Sequence, residues 1–262
     1  SWRLNKVPIK VKDSPGFAVN RFFVPFLNES CKILEEKIAN IPTIDSITKE
    51  TFGIGMGPFE LMNATGVPIA YHSEEALYKG LKNEFYKPSE ILRKQCESRR
   101  NWDLEGNVET AHRDTIKNRF LSLIFNIVCQ IVEEGVATKE EIDRGAQIGL
   151  RWTLGPFAIM NKLGIQKSYE LATAFAKRAN IKVPESLERQ AKLNLQWELR
   201  NVKLEKRDGA AVITMCRPET LNTLNSKVLI DLKDTLDKIQ KDDILSTAII
   251  TGEGTAFVAG AD

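Results

Sequence analysis

The sequence predicts a mainly α-helical chain in which one helical module occurs twice and an incomplete α/β segment follows. The first observation is a repeat, because residues of the first copy recur 98 positions later in the same order. The repeated residues are Asn20-Arg21, Ile44-Asp45, Gly57-Pro58-Phe59 and Gly66, which recur as Asn118-Arg119, Ile142-Asp143, Gly155-Pro156-Phe157 and Gly164. The second observation is a change from helical to strand-like spacing at Val202. The period is that of a small domain and is too long for a solenoid unit.

Each predicted helix of the repeat is bounded by its own residues. Apolar residues at helical spacing predict long, nearly buried first helices over residues 17–38 and 115–135. Second helices are predicted to begin near Thr43 and Thr138, with Glu141 at capping-box spacing from Thr138. The third helices begin at a proline, which loses no helical hydrogen bond there, and end at Gly66 or Gly164 as left-handed closing residues. Further helices are predicted over residues 73–83, 89–98, 166–179 and 184–195.

The segment after Val202 has the pattern of an α/β unit. Residues 202–206 and 211–215 read as strands joined at Asp208-Gly209, a pair that favours a tight hairpin turn. A loop over residues 217–222, an amphipathic helix over residues 226–240 and an apolar strand over residues 247–251 follow. The sequence stops at residue 262, before such a sheet could be completed.

The composition limits which binding partners and which cellular compartment we expect. Thirty-seven Lys and Arg residues nearly balance 35 Asp and Glu residues, so no strong field favours nucleic acid or an anionic membrane. The four cysteines have no CxxC spacing, and neither a signal peptide nor an apolar run of membrane length is evident. We therefore expect a cytoplasmic protein with neither of those partners.

The organisation suggests an internal piece of a longer polypeptide. Residues 7–11 read as a short strand that leads into the turn-forming residues 13–16. The predicted divisions are residues 1–11 as the end of a missing domain or linker, 12–108 and 109–197 as two helical domains, and 198–262 as the first part of another domain.

The motifs resemble those of two known families. Asp13-Ser14-Pro15-Gly16-Phe17-Ala18-Val19-Asn20-Arg21, with Ile44-Asp45 and Met56-Gly57-Pro58-Phe59-Glu60-Leu61, resembles the C-terminal helical domain of L-3-hydroxyacyl-CoA dehydrogenases. With the second copy, this resemblance covers residues 7 to about 197. Residues 202–262 are similar to the N-terminal part of a crotonase-fold enoyl-CoA hydratase, on the residues Arg217-Pro218-Glu219 to Asn222 and Ala256 to Asp262. Their order resembles that of a bifunctional enzyme of fatty-acid β-oxidation type.

The resemblance implies a catalytic role for Asn20. In such dehydrogenases a preceding Rossmann domain binds NAD and supplies a His–Glu pair, and that domain is absent from this sequence. An Asn at the position of Asn20 helps to hold the reacting oxygen of a coenzyme A thioester substrate. Asn118 lacks the Pro-Gly-Phe context, so the second copy is interpreted as structural, completing an interface that simpler members form by dimerisation. A homo-oligomer stays open.

Two other sets of residues follow from the resemblance. Gly55, Met56, Gly57, Pro58 and Leu61 align with the loop and helix start that border the acyl pocket, although Gly55 stands where relatives often carry a bulkier residue. The backbone N–H of Ala261 matches one of two oxyanion-hole donors of the crotonase fold. The second donor and the hydratase acids would lie beyond residue 262, so this chain alone is expected to be inactive.

Several other patterns have ordinary structural readings. Residues 53–57 are glycine-rich, but they follow a predicted helix and lack the GxGxxG spacing of a dinucleotide site, so they predict a turn. His72 and His112 have no second ligand at metal spacing, and no metal is expected. Basic residues near positions 99–100, 117–119 and 203–207 are read as solvated surface, any one of which could meet a coenzyme A phosphate.

Two alternatives stay open. The helical pair could be a non-catalytic coenzyme A-binding or assembly module. It could also belong to a different hydroxy-acid dehydrogenase with a helical C-terminal domain, although the crotonase-like junction argues against this.

Overall fold

The computed structural model describes residues 7–261, apart from the side chain of Glu219. The described chain forms two compact units, a helical unit over Lys10–Trp197 and a second unit that comprises residues 7–9 and the chain from Glu198 onward. The predicted fold class is confirmed, since a duplicated helical domain precedes a small α/β segment. The four domain boundaries proposed from the sequence stay a prediction.

The helical unit contains ten α-helices among the described residues. In the first copy they are α1 Val19–Glu35, α2 Ile41–Phe52, α3 Pro58–Thr65, α4 Val67–Leu81 and α5 Glu90–Ser98. In the second copy they are α6 Arg113–Glu133, α7 Lys139–Arg144, α8 Pro156–Leu163, α9 Ile165–Ala179 and α10 Glu185–Leu193. Helix α7 continues as a π-helical turn over Gly145–Gly149. Helices α1 and α6 pack against each other and contribute Phe22, Phe26, Ile33, Phe120 and Phe125 to the core.

The predicted helix boundaries are confirmed in most places. Thr138 caps α7, since its side chain accepts from the amide of Glu141 while the Glu141 carboxylate accepts from the Thr138 amide. Gly66 and Gly164 have the predicted positive φ angles, 105° and 97°. Their ψ angles are extended rather than left-handed helical, because each next helix begins at the very next residue.

Two expectations about element limits were wrong. Residues 7–11 form no strand, because the Lys10 amide donates to the Glu141 carboxylate at 3.0 Å and the Lys12 amide donates to the Val136 carbonyl at 2.7 Å. Those partners belong to the second helical copy and offer no strand edge. The helix expected over residues 73–83 begins six residues earlier, at Val67, where Pro68 fits the first turn.

The two copies are related by reciprocal contacts. Arg21 of the first copy pairs with Glu134 of the second, and Arg119 of the second pairs with Glu36 of the first. Both the arginines and the glutamates are 98 positions apart, so the same two surfaces are used in both directions. Reciprocal use of one patch is the arrangement that a twofold axis produces. The copies therefore pack as a pseudo-dimer within one chain.

The equivalent aromatic contacts lie outside the strict 98-residue register. Trp102 packs edge-on against Phe59 with ring centroids 5.0 Å apart, and Trp197 packs against Phe157 at the same distance. The tryptophans are 95 positions apart, because the connection before α10 is three residues shorter than the one before α5. The duplication is thus preserved in packing beyond the point where the sequence spacing changes.

The second unit contains a three-stranded sheet of order β1-β2-β3 among the described residues. Strands β1 Val202–Arg207 and β2 Ala210–Met215 are antiparallel, and the predicted turn is confirmed by φ angles of 48° at Asp208 and 78° at Gly209. Helix α11 Ser226–Gln240 connects β2 to β3 Thr247–Gly252, which lies parallel to β2. A small core of Val202, Ile213, Met215 and Val228 lies between sheet and helix.

One helix has the length and apolar composition of a membrane span. This helix is α6, and 72% of its most apolar window is buried inside the helical unit. A central core helix passes the same test, so the observation is weak evidence for a membrane location.

Candidate functional site

Asn20 lies exposed in the first turn of α1, on the surface of the helical unit. The residue before the helix, Ala18, provides no side-chain cap. Asn118, its counterpart in the second copy, is the sixth residue of α6 and is half-buried. An exposed carboxamide can both donate and accept, so Asn20 is free in geometry to meet a ligand or another domain, whereas Asn118 is partly enclosed.

The predicted acyl-pocket residues lie between α2 and α3. Gly55 and Met56 are exposed in the connection, Gly57 and Pro58 are buried at the start of α3, and Leu61 is half-buried. Helices α1 and α3 pack against each other. Among the described residues, no hydrogen bond joins the Asn20 side chain to this segment. The structure thus places both sets on one copy, and their shared role in a substrate site stays a prediction.

The buried carboxylate of Asp45 explains why Gly57 and Pro58 occur where they do. Asp45 accepts hydrogen bonds from the amides of Phe59 at 2.9 Å and Glu60 at 3.0 Å, so it caps the start of α3. A Cβ atom on Gly57 would lie 2.3 Å from Asp45 Cγ, which leaves no room for a side chain. Burial raises the pKa of Asp45 to about 6, although the two amides act in the opposite direction.

The second copy reproduces this geometry. Asp143 accepts from the amides of Phe157 at 2.7 Å and Ala158 at 2.9 Å, and a Cβ on Gly155 would lie 2.3 Å from Asp143. The repeated Ile-Asp and Gly-Pro-Phe motifs therefore form the same helix-capping arrangement in both copies. Among the predicted pocket residues, this arrangement does not account for the exposed Gly55 and Met56.

A buried polar cluster occurs only in the first copy. Glu74 of α4 is fully buried, and its Oε1 accepts from Asn28 Nδ2 at 3.0 Å. Asn28 also accepts from the Ser89 amide at 2.8 Å. In the second copy Asn126 donates to the backbone of Ala172, which stands at the position equivalent to Glu74. Burial raises the pKa of Glu74 to about 8, with Lys32 and Asn28 opposing the shift.

A cleft of about 330 Å³ lies where the two copies meet. Its wall includes Arg21 and Tyr86 from the first copy and Glu134, Lys182 and Glu185 from the second. The wall is mixed in charge, and Asn20 is not part of it. This cleft is therefore separate from the predicted Asn20 site.

In the second unit, the predicted oxyanion donor Ala261 is exposed and forms a short parallel bridge with Leu224. Buried Asn222 fixes the preceding chain, since its Nδ2 donates to the carbonyls of Glu253 at 2.9 Å and Ala256 at 2.8 Å. Asn222 Oδ1 also accepts from the amide of Arg217 at 2.8 Å. Asn222 thus joins the two motifs that suggested the crotonase resemblance, and the oxyanion role of Ala261 stays a prediction.

The described residues hold no group of three or more His, Cys, Asp or Glu side chains that could bind a metal. Residues 53–57 form the predicted turn, with Gly53 left-handed after α2. Because they connect two helices, they do not form the strand–loop–helix unit that holds a dinucleotide. This segment therefore does not fit a dinucleotide site.

Sequence reasoning missed three features of this structure. The sequence shows the Ile44-Asp45 repeat, but the capping role of Asp45 depends on how α3 lies relative to α2. The sequence also shows the Asn20-Arg21 repeat, but the partner of Arg21 lies 113 residues away and could not be identified from spacing. Glu74 gave no signal, because a lone Glu in a helix is ordinarily exposed.

Comparisons with known proteins agree with the two units. Residues 16–107 and 116–202 match the family described as 3-hydroxyacyl-CoA dehydrogenase, C-terminal domain. Residues 205–262 match the family described as enoyl-CoA hydratase/isomerase. Both of the resemblances inferred from the motifs are thereby confirmed.

Individual relatives match a stretch about as long as one copy. A probable 3-hydroxybutyryl-CoA dehydrogenase of Deinococcus radiodurans is 35% identical over 96 residues, which are 37% of this chain and 34% of the relative. The human mitochondrial hydroxyacyl-coenzyme A dehydrogenase is 36% identical over 95 residues, which are 36% of this chain and 30% of the relative. The chain thus spans about a third of the length of these curated relatives.

A solved structure shares the fold. The crystal structure of 3-hydroxybutyryl-CoA dehydrogenase from Escherichia coli aligns with a TM-score of 0.63 at 17% sequence identity. The alignment covers 72% of this chain and 62% of that chain. At this identity the likeness concerns the fold alone.

Proposed function

The chain belongs to the 3-hydroxyacyl-CoA dehydrogenase C-terminal domain family, and from this premise we propose that it is part of a bifunctional acyl-CoA enzyme. The whole polypeptide oxidises (S)-3-hydroxyacyl-CoA with NAD and hydrates enoyl-CoA. The observation that carries the proposal is the order of matches in one chain, two dehydrogenase copies followed directly by a hydratase/isomerase segment. The two reactions share an intermediate, since hydration of an enoyl-CoA yields the 3-hydroxyacyl-CoA that a dehydrogenase consumes.

In this proposal Asn20 is the catalytic residue that this chain contributes. Its exposed carboxamide meets the oxygen at C3 of the substrate and holds it in place while the hydroxyl is oxidised to a ketone. A Rossmann domain of the same polypeptide would hold NAD, which would supply the hydride acceptor, and the same domain would provide the acid–base residues. Gly55, Met56, Gly57, Pro58 and Leu61 border the acyl chain, and Ala261 provides one donor of the hydratase oxyanion hole.

We also propose a cellular location and a set of partners for the whole enzyme. The enzyme works in the cytoplasm on coenzyme A thioesters, without nucleic acid or membrane partners, and the missing Rossmann and crotonase portions complete it. This 262-residue chain alone is expected to reduce no NAD with 3-hydroxybutyryl-CoA and to hydrate no crotonyl-CoA. A robust rate from the purified chain in either assay would contradict that division of labour.

The test compares Asn20→Ala with Asn118→Ala in the whole polypeptide. Asn20→Ala is expected to lower the dehydrogenase kcat by about ten- to a thousandfold and to leave hydratase activity unchanged, because only one active site uses it. Asn118→Ala is the matched control in the same dipeptide and is expected to cost about twofold or less. Equal losses, or no loss from Asn20→Ala, would refute the catalytic assignment and favour a non-catalytic assembly module.

A further inference from the structure

We propose that the second helical copy positions the catalytic residue of the first, through a pair formed by Glu134 and Arg21. This proposal rests on the proposed function of Asn20. It assigns the second copy a part in the dehydrogenase reaction beyond its packing role. Glu134 and Arg21 are positioning residues, since neither is placed in contact with substrate.

The first step is that the helix end carrying Asn20 is weakly fixed by its own sequence. Helix α1 begins after Ala18, which offers no side-chain cap, so the first-turn amides lack the usual local partner. Uncapped helix ends fray. The orientation of Asn20 must therefore be fixed by contacts from elsewhere.

The second step is that its neighbour Arg21 supplies such contacts. The Arg21 side chain is buried, and both of its terminal nitrogens donate to the Glu134 carboxylate, with Nη2 lying 2.6 Å from Oε1. A two-pronged arginine–carboxylate pair fixes orientation as well as distance. The Arg21 guanidinium also donates to Ser14 Oγ at 3.2 Å. One arginine thus ties the second copy to both the first turn of α1 and the turn that precedes it.

The third step is that the approach to Asn20 runs along the second copy. The Lys10 amide donates to the Glu141 carboxylate at 3.0 Å, and the Lys12 amide donates to the Val136 carbonyl at 2.7 Å. Together with the Glu134 pair, these contacts anchor residues 10–21 at three points on the loop and helix end that follow α6. Helix α4 of the first copy lies against Pro15 and Gly16, while these three hydrogen-bonded anchors come from the second copy.

The fourth step is the difference between the two reciprocal pairs. Arg119, the counterpart of Arg21, binds Glu36 and also the buried Glu29, which Arg178 contacts as well. Among the described residues, no hydroxyl of the turn before α6 bonds to the Arg119 guanidinium. Glu134 and Glu36 have the same side-chain exposure, 49%. Glu36 is therefore a matched control for Glu134.

The experiment measures dehydrogenase kinetics of Glu134→Gln and Glu36→Gln in the whole polypeptide. Glu134→Gln is expected to lower kcat about tenfold with KM changed by about twofold or less, because a small misplacement of a positioning group reduces the rate of the chemical step. Glu36→Gln is expected to change kcat by about twofold or less. Glu134→Asp, which keeps the charge, is expected to recover part of the lost kcat.

A second measurement does not depend on activity. In the 262-residue chain, Glu134→Gln is expected to speed hydrogen exchange of the first hydrogen-bonded α1 amides, those that follow the first turn, about tenfold, whereas Glu36→Gln leaves it unchanged. Ser14→Ala removes the last link while keeping the pair between the copies, and it is expected to shift the same amides in the same direction.

The outcomes separate the two proposals. If Asn20→Ala lowers kcat but Glu134→Gln and Glu36→Gln act alike in kinetics and exchange, the positioning role is refuted and the catalytic role of Asn20 stands. If Asn20→Ala leaves kcat unchanged, the proposed function fails, and the positioning of a catalytic Asn20 fails with it. A selective loss from Glu134→Gln that Glu134→Asp partly restores supports the inference.

Discussion

Replacing Glu74 by glutamine is expected to make the helical unit more stable at neutral pH. Glu74 is fully buried in α4, with Oε1 bonded to Asn28 and no hydrogen-bond partner for Oε2 among the described residues. Its pKa is raised from 4.5 to about 8 because burial disfavours the charged carboxylate. Glutamine has the same shape and carries no charge at any pH. In the second copy an uncharged residue, Ala172, occupies the equivalent position.

The magnitude follows from the pKa difference between the folded and unfolded chain. Below pH 4.5 Glu74 is protonated in both forms and contributes no pH dependence. Between pH 4.5 and about 8 the folded form keeps a proton that the unfolded form loses, so the free energy of unfolding falls as pH rises. At about 1.4 kcal/mol for each pH unit, the loss reaches about 3 kcal/mol at pH 7. Glu74→Gln removes that loss.

The assay is urea unfolding of the 262-residue chain and its variants across this pH range. Trp102, Trp152 and Trp197 are buried in the helical unit, so their fluorescence reports its unfolding. Glu74→Gln is expected to match the parent near pH 4.5 and to exceed it by about 3 kcal/mol at pH 7. Glu75→Gln is the control on the same helix, where an exposed pair with Lys79 is worth about 0.5 kcal/mol. Parallel stability curves for the parent and Glu74→Gln would refute the reasoning.

Three other substitutions test the duplicated architecture. Gly57→Ala places a methyl group 2.3 Å from Asp45 Cγ and is expected to cost about 3 kcal/mol or more, which thermal unfolding would detect; a loss under about 1 kcal/mol would contradict the capping geometry. Asn63→Ala and Asn161→Ala each remove a side chain that binds both the amide and the carbonyl of a tryptophan, at 2.7–2.9 Å. Each variant is expected to lower the free energy of unfolding by a similar amount, about 1–3 kcal/mol, as measured by urea unfolding. Clearly unequal losses would show that this contact does not contribute equally to stability in the two copies.

Much of the fold could be predicted because local residues enforce it. The capping box at Thr138, the prolines that begin α3 and α8, and the turn at Asp208-Gly209 each act within a few positions of the chain. Periodic apolar residues placed α1 and α6, and α11 has the predicted limits, Ser226–Gln240. Helix ends moved by a few residues where the first turn extended beyond the apolar pattern.

The candidate site was predicted only in part. Motif resemblance selected Asn20 and the segment from Gly55 to Leu61, and the structure places them on the same helical copy. Their catalytic and pocket roles stay predictions. The carboxylates that organise the site, Asp45 and Glu134, were not selected, since each acts on a residue distant in sequence.

The sequence by itself determined that this chain repeats a helical module and then changes to an α/β pattern, because helix caps, tight turns and apolar periodicity are written in neighbouring residues. Only the tertiary structure decided which surfaces meet. Arg21 pairs with Glu134 across the pseudo-twofold axis, and residues 7–11 form no strand, with the Lys10 amide bonded to Glu141 of the second copy. Glu74 is enclosed only when α4 packs on α1. Burial and long-range ion pairing depend on how distant segments pack, and spacing along the chain does not encode that directly.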